Sequence, residues 1–258
     1  MDIATIIGLI IGFFGVIAGF VLEGGHISAL FGLAPALIVI LGTLGATVVG
    51  MPLKELRKFP QWIKIAFTEQ SFGEEDAYYT LVHFSEKARR EGLLSLEDEL
   101  DTIENKFTRQ GMQLIIDGTD PEVTKSILES NIAVMENRHR VGINFFESAG
   151  GYSPTLGIIG TVMGLVHVLG NLTDPENLSV SIAGAFLATL YGVCFANLIY
   201  LPIATKLKFK NEKEVQIMQM ILDGILSIQA GENPLILKEK LKTHIGYTPE
   251  EKAPEENP

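Results

Sequence analysis

Charge is missing from much of this 258-residue chain. Asp, Glu, Lys and Arg make up 20 % of it, against about 25 % in a typical globular domain. None of the 20 Lys and Arg lies in residues 1–53 or 141–205. Bases are also outnumbered. The formal net charge of −11 argues against a nucleic-acid partner, because a phosphate binder needs basic patches. A single cysteine, Cys194, excludes a disulfide framework and a cysteine-rich metal site. No period-two strand pattern, sequence repeat or phosphate loop is present. Yet the mean hydropathy is +0.28. An acidic chain with positive hydropathy must gather its apolar residues into blocks.

Four such blocks occur, at Ile3–Leu22, Ile27–Gly50, Tyr152–Leu172 and Val180–Ala204. A helix needs about 20 apolar residues to cross a hydrocarbon core of ~30 Å, and each block is long enough. Too little chain remains to bury four of them in a soluble core. The fold class is therefore read as all-α, a polytopic membrane protein with four transmembrane helices and a helical cytoplasmic domain. Ile3–Leu22 has no basic stretch before it and a second span soon after, so it reads as a retained helix rather than a cleaved signal peptide. The links Glu23–His26 and Asn171–Ser179 carry no Lys or Arg, whereas basic residues follow spans two and four. The positive-inside rule then places both termini in the cytoplasm. The expected plan is spans one and two in residues 1–52, a cytoplasmic helical domain in 53–148, and spans three and four in 149–205. A cytoplasmic helix and a disordered acidic tail from Tyr247 complete it in 206–258.

The cytoplasmic part reads as helical. Lys54–Thr68 mixes basic and apolar residues around Trp62 and suits a helix at the inner membrane surface, kinked or interrupted by Pro60. Helices are expected over Glu74–Glu91 and Ser95–Gln110, separated by Gly92. Thr119-Asp120-Pro121-Glu122 starts a long helix that leads into span three. Asn211–Gly231 gives another, with Ile217, Ile221, Leu222 and Ile225 on its buried side.

Within the spans there is no Asp, Glu, Lys or Arg. An ion path across a bilayer normally needs an ionisable or strongly polar group at depth. The polar candidates here are Thr43, Thr47, Thr155, Thr161, Thr189, Tyr191, Asn197 and His167. Counted from Pro154 and Pro202, Thr161 and Thr189 lie roughly 10 Å and 20 Å along their helices, near mid-membrane. His167 and Cys194 read as structural. Small-xxx-small pairs (Gly8/Gly12, Gly15/Gly19, Gly160/Gly164) and the stripe Ala185, Ala188, Gly192, Ala196 allow close helix approach. Five scattered histidines and no nucleophile or metal constellation give no support for an enzyme.

The segments SPTLGIIGTVMGLVHVLGNL (153–172) and AGAFLATLYGVCFANLIYLPIATKL (183–207) resemble the last two spans of the flagellar stator family MotA/PomA. ARREGLLSLEDEL (88–100) resembles that family's cytoplasmic loop motif, and the opening residues and four-span plan agree. The resemblance implies a non-enzymatic subunit of the bacterial inner membrane with no cofactor, passing Na+ or H+. It implies five copies around two copies of a MotB/PomB-type partner that supplies the missing acid. It further implies a FliG-type rotor switch-ring partner. By resemblance, Thr161, Thr189 and Pro154 belong to the ion pathway, and Pro154 and Pro202 couple ion passage to movement. Arg89 and Glu97, with Arg90 adjacent, contact the rotor. Threonine at position 161 favours sodium over the proton. An ExbB/TolQ-type energiser of outer-membrane processes is the alternative; its relatives have three spans and lack the Arg89/Glu97 motif.

Overall fold

The computed structural model describes residues 2–69, 72–170 and 175–245. Every regular element among them is helical. Span one is α1 (Ile3–Leu22), capped by the Asp2 carboxylate, which accepts from the Thr5 amide. A 3₁₀ turn (Ile27–Leu30) and a break at Phe31-Gly32 precede span two. That span runs as α2 (Leu33–Ala36), a π-helical turn (Leu37–Leu41) and α3 (Gly42–Val49). The helices α4 (Leu53–Leu56), α5 (Phe59–Phe67) and α6 (Glu74–Glu91) follow. A 3₁₀ run (Leu93–Thr102) leads to α7 (Lys106–Ile116), and α8 (Pro121–Gly170) carries span three. Span four is α9 (Pro175–Phe195), which passes through a second π turn (Ala196–Tyr200) into α10 (Leu201–Gln229); α11 (Pro234–Ile245) ends the described chain. Four helical stretches are long and apolar enough to cross a membrane. The acidic tail from Tyr247 lies outside the described residues.

Two expectations are corrected and one is narrowed. Lys54–Thr68 is interrupted rather than kinked. The helix breaks at Arg57-Lys58, and Pro60 sits in the first turn of α5, where its missing N–H costs nothing. Nor is there one helix over Ser95–Gln110. The Ser95 hydroxyl donates to the Gly92 carbonyl (2.7 Å) instead of capping a helix. The true cap is Asn105, which accepts from the amides of Phe107 (2.9 Å) and Thr108 (3.1 Å). Finally, Asn211–Gly231 is not a separate helix; it continues α10, which also carries Pro202. A proline in a helix leaves the carbonyl four residues back without its donor. Here that residue is Leu198, inside the π turn, where a wider turn takes up the irregularity.

The described residues divide into two compact units. The first holds residues 2–69 and His139–Phe209 and contains the spans. In it, Phe59 of α5 packs edge-on against Phe145 and stacks on Phe146 of α8, and Trp62 packs tilted against Phe145, with ring centroids 5.3–5.9 Å apart. The apolar face of α5 therefore packs on α8, and Trp62 is buried. The Asp2 carboxylate pairs with Lys206, which holds it below the usual carboxylate range, and the Asp2 amide donates to the Phe67 carbonyl (2.9 Å). Helix α1 buries none of its residues within the chain. A Cβ added at Gly8, Gly15 or Gly19 would meet open space, so those glycines pack no helix within this chain.

The second unit holds residues 72–138 and 210–245. Its core joins Tyr78, Leu81 and Phe84 of α6 to Met112 and Ile115 of α7, Leu128 of α8, Ile221 and Ile225 of α10, and Leu237 of α11. The acidic first turn of α6 (Glu74, Glu75, Asp76) complements its helix dipole. Gly92 stops it at φ 85°, a conformation that favours glycine.

Candidate functional site

In the first unit, spans three and four meet along small residues. A Cβ added at Gly157 would lie 2.8 Å from the Ala188 carbonyl oxygen, and one at Gly192 would lie 2.6 Å from that of Ser153. At Gly160 and Gly164 it would fall 2.6 Å from the methyls of Ala188 and Ala185. Only hydrogen fits at these four positions, so the backbones themselves are in contact. The stripe read from the sequence on span four is thus a packing face against span three.

This close approach brings Thr161 and Thr189 together. The Thr161 hydroxyl lies 3.1 Å from the carbonyl oxygen of Gly157 on its own helix, 2.9 Å from that of Ala185, and in short contact with the Thr189 hydroxyl. It has one proton to donate and three acceptors within reach. Two hydroxyls and two carbonyls therefore cluster at a half-buried point, a donor set suited to a hard cation stripped of part of its hydration. Pro154 lies below this cluster on α8 and removes the amide that would serve the Gly150 carbonyl. Its Cα would be 3.2 Å from a Cβ at Gly192. Pro202 is exposed and stands apart on α10.

Sequence reasoning passed over two residues here. Ser153 is fully buried and donates to the Gly192 carbonyl (2.9 Å), tying the two spans below the threonines. The signal was present in the glycine at 192, whose carbonyl is open to a neighbouring helix. Tyr191 was counted among the polar candidates but given no role. Its hydroxyl donates to the Leu30 carbonyl and accepts from the Gly32 amide (3.0 Å).

In the second unit, the last turn of α6 carries Arg89 and Arg90, and the 3₁₀ run beyond Gly92 carries Glu97, Asp98 and Glu99. Arg89, Arg90 and Glu97 are all exposed. Arg90 donates only to the Glu86 carbonyl (3.3 Å), and among the described residues Arg89 and Glu97 form no hydrogen bond or ion pair. Glu99 behaves differently. It accepts from Lys87 (2.6 Å) and bonds to His83 (2.8 Å). Hydrogen bonds from Lys87 and then His83 hold its carboxyl below the ordinary range, and Glu99 in turn raises the Lys87 amine. One acid of the motif is thus spent on the fold, while the arginines and Glu97 face outward.

Four apolar stretches long enough to span a bilayer, free of charge within them, together with a helical unit outside them, define an all-helical polytopic membrane protein. Residues 99–220 match the model of the MotA/TolQ/ExbB proton channel family, and residues 6–92 that of the motility protein A N-terminal family. Motility protein A of Borreliella burgdorferi is 37% identical over 253 residues, covering 98% of this chain and 96% of that protein. The structure of C. jejuni MotAB superposes with a TM-score of 0.87 at 27% identity, covering 100% of this chain and 98% of the other. That of the Bacillus subtilis flagellar MotAB stator complex does so with a TM-score of 0.84 at 35% identity, covering 92% and 93%. The chain belongs to the MotA/PomA family of flagellar motor stator subunits. It is accordingly an inner-membrane protein, and the proteins it matches are motility proteins and stators, not enzymes.

Proposed function

We propose that this chain passes sodium ions past Thr161 and Thr189 and converts their passage into torque on the rotor. The observation that carries the reading is the cluster of four oxygens at Thr161 in spans that contain no acid. Hydroxyl and carbonyl oxygens replace part of a sodium ion's hydration shell, whereas a proton needs only a carboxylate. The carboxylate comes from a MotB/PomB-type partner, of which two copies sit inside a ring of five copies of this chain. The absence of buried residues on α1 accords with such a ring, in which lipid and neighbouring copies cover that helix. Both termini lie in the cytoplasm, as the distribution of Lys and Arg favours.

Pro154 and Pro202 are the points at which ion passage is coupled to helix movement, since each interrupts the hydrogen-bond ladder of a span. Arg89, Arg90 and Glu97 meet a FliG-type switch-ring protein. Among the described residues Arg89 and Glu97 form no hydrogen bond or ion pair and Arg90 bonds only a backbone carbonyl, which supports this, because charges not spent in ion pairs are available for steering and partner choice. The test is motor speed of the chain with its partner subunit, measured against a sodium gradient and a proton gradient separately. Speed should follow sodium. Undiminished rotation in sodium-free medium would overturn the sodium assignment.

A further inference from the structure

Span two begins in an unusual way. The 3₁₀ turn Ile27–Leu30 ends, two residues run extended, and α2 starts only at Leu33. This break does not sit at the outer end of span four. A Cβ at Gly32 would lie 2.7 Å from the Leu187 side chain, and the Tyr191 hydroxyl reaches both Leu30 and Gly32. Tyr191 is eleven residues along span four from Val180, about 17 Å at the α-helical rise. The break therefore opens backbone groups deep along the span. In lipid each such group needs a partner, because no water competes for it. The Gly32 carbonyl has one in the Ala36 amide (3.2 Å). The Leu30 carbonyl and Gly32 amide both depend on a single oxygen, that of Tyr191.

Tyr191 lies two residues beyond Thr189. Two residues turn a helix by about 200°, so the two side chains leave span four on nearly opposite faces. Thr189 faces span three and Tyr191 faces the start of span two. Resting on the ion-pathway reading above, we infer that Tyr191 is a positioning residue for the ion site. Its two hydrogen bonds set the rotation of span four about its own axis, and so aim the Thr189 hydroxyl at Thr161. A turn of roughly 10° moves a threonine oxygen some ~5 Å off the axis by close to ~1 Å. That is the scale at which a preorganised polar site loses its advantage.

The experiment measures single-motor speed against sodium concentration for the wild-type chain, Tyr191→Phe, Thr189→Val and the double variant, each with its partner subunit. Half-saturation does not depend on how many units join a motor, so reduced abundance does not imitate a shift in it. Tyr191→Phe removes both hydrogen bonds and should raise the sodium concentration for half-maximal speed roughly three- to tenfold, since only part of their combined worth reaches the ion site through the rotation of span four. Speed at saturating sodium should be kept. The double variant should be no worse than Thr189→Val alone, because Tyr191 acts through Thr189. Additive effects, or a loss of speed equal at every sodium concentration, would mark Tyr191 as scaffold and overturn the inference. If Thr189→Val shifts half-saturation and Tyr191→Phe does not, only the inference fails. If Thr189→Val leaves half-saturation unchanged, the ion-pathway reading fails and takes the inference with it.

Discussion

A single methyl group at position 192 should be enough to disable the spans. A Cβ there would lie 2.6 Å from the Ser153 carbonyl oxygen, 3.0 Å from the Gly157 Cα and 3.2 Å from the Pro154 Cα. All three are backbone atoms on a helix, so no rotamer change relieves them. Ordinary contact begins at 3.4 Å, so the two spans must part by about 0.8 Å. The same displacement stretches the Ser153–Gly192 and Thr161–Ala185 hydrogen bonds, both 2.9 Å, to about 3.7 Å, beyond bonding range. Overpacking costs about 1–3 kcal/mol, and each lost bond about 1 kcal/mol. These terms overlap, since the strain is relieved by breaking the bonds. A net cost of about 3 kcal/mol for Gly192→Ala is the reasonable sum, some hundredfold in the equilibrium between packed and parted helices. Thermal melting of the purified stator complex, read together with swimming speed, checks it. Gly15→Ala, which meets open space in this chain, gives the comparison for a glycine change on a span. Wild-type melting and motility in Gly192→Ala would refute the claim that the backbones touch at this level.

Two further predictions concern the second unit. Reversing both free charges, Arg89→Glu with Glu97→Lys, should lower torque while leaving membrane abundance and melting within about 0.5 kcal/mol of wild type, since both side chains are exposed; load-dependent motor speed measures it, and normal torque would count against rotor contact. The Lys87–Glu99–His83 cluster gives a pH dependence of known sign. Hydrogen bonds from Lys87 and His83 lower the Glu99 carboxyl from its ordinary 4.5, so its stabilisation is complete above that value and fades as pH falls through the lowered one. Lys87 is raised above its ordinary 10.5 by Glu99, so its share is complete below that value and fades in stronger alkali. The difference in melting temperature between wild type and Glu99→Gln should therefore hold level near neutrality and shrink below pH 4.5. A difference unaffected by acid would refute it.

What was legible in the chain followed from solvent. A bilayer admits few solutions, and an uncharged run of twenty residues such as Ile3–Leu22 announces one of them. The stripe of Ala185, Ala188 and Gly192 likewise announced a close neighbour. Counting rise from the two prolines gave depth but not azimuth, so it put Thr161 and Thr189 near mid-membrane without pairing them. The pairing comes from the glycines, which let the helices close until two hydroxyls touch. Local rules failed where a distant or competing group took the decisive bond. Ser95, followed by three acids, has every mark of a helix cap, yet its hydroxyl is occupied by Gly92. Arg109 then holds the extended stretch before α7 by donating to the carbonyls of Ile103 and Asp101. Nothing in the spelling of Glu97-Asp98-Glu99 tells which acid is tied inward. That choice is made by Lys87 and His83, twelve and sixteen residues upstream on another helix.

The π turn at Ala196–Tyr200 is more than a repair for Pro202. A π turn holds one residue more than an α turn, so everything after it is rotated by roughly 100° from where an unbroken helix would put it. Ile203, Ala204 and Leu207 reach the core of their unit only with that offset included. Residue number along this helix is therefore a measure of angle as much as of distance. Losing one residue between Ala196 and Tyr200 would let the turn close into an ordinary α turn and leave the buried face where it is, whereas forcing the full-length segment into α geometry would turn that face outward. The chain keeps its phase at this point by carrying a spare residue.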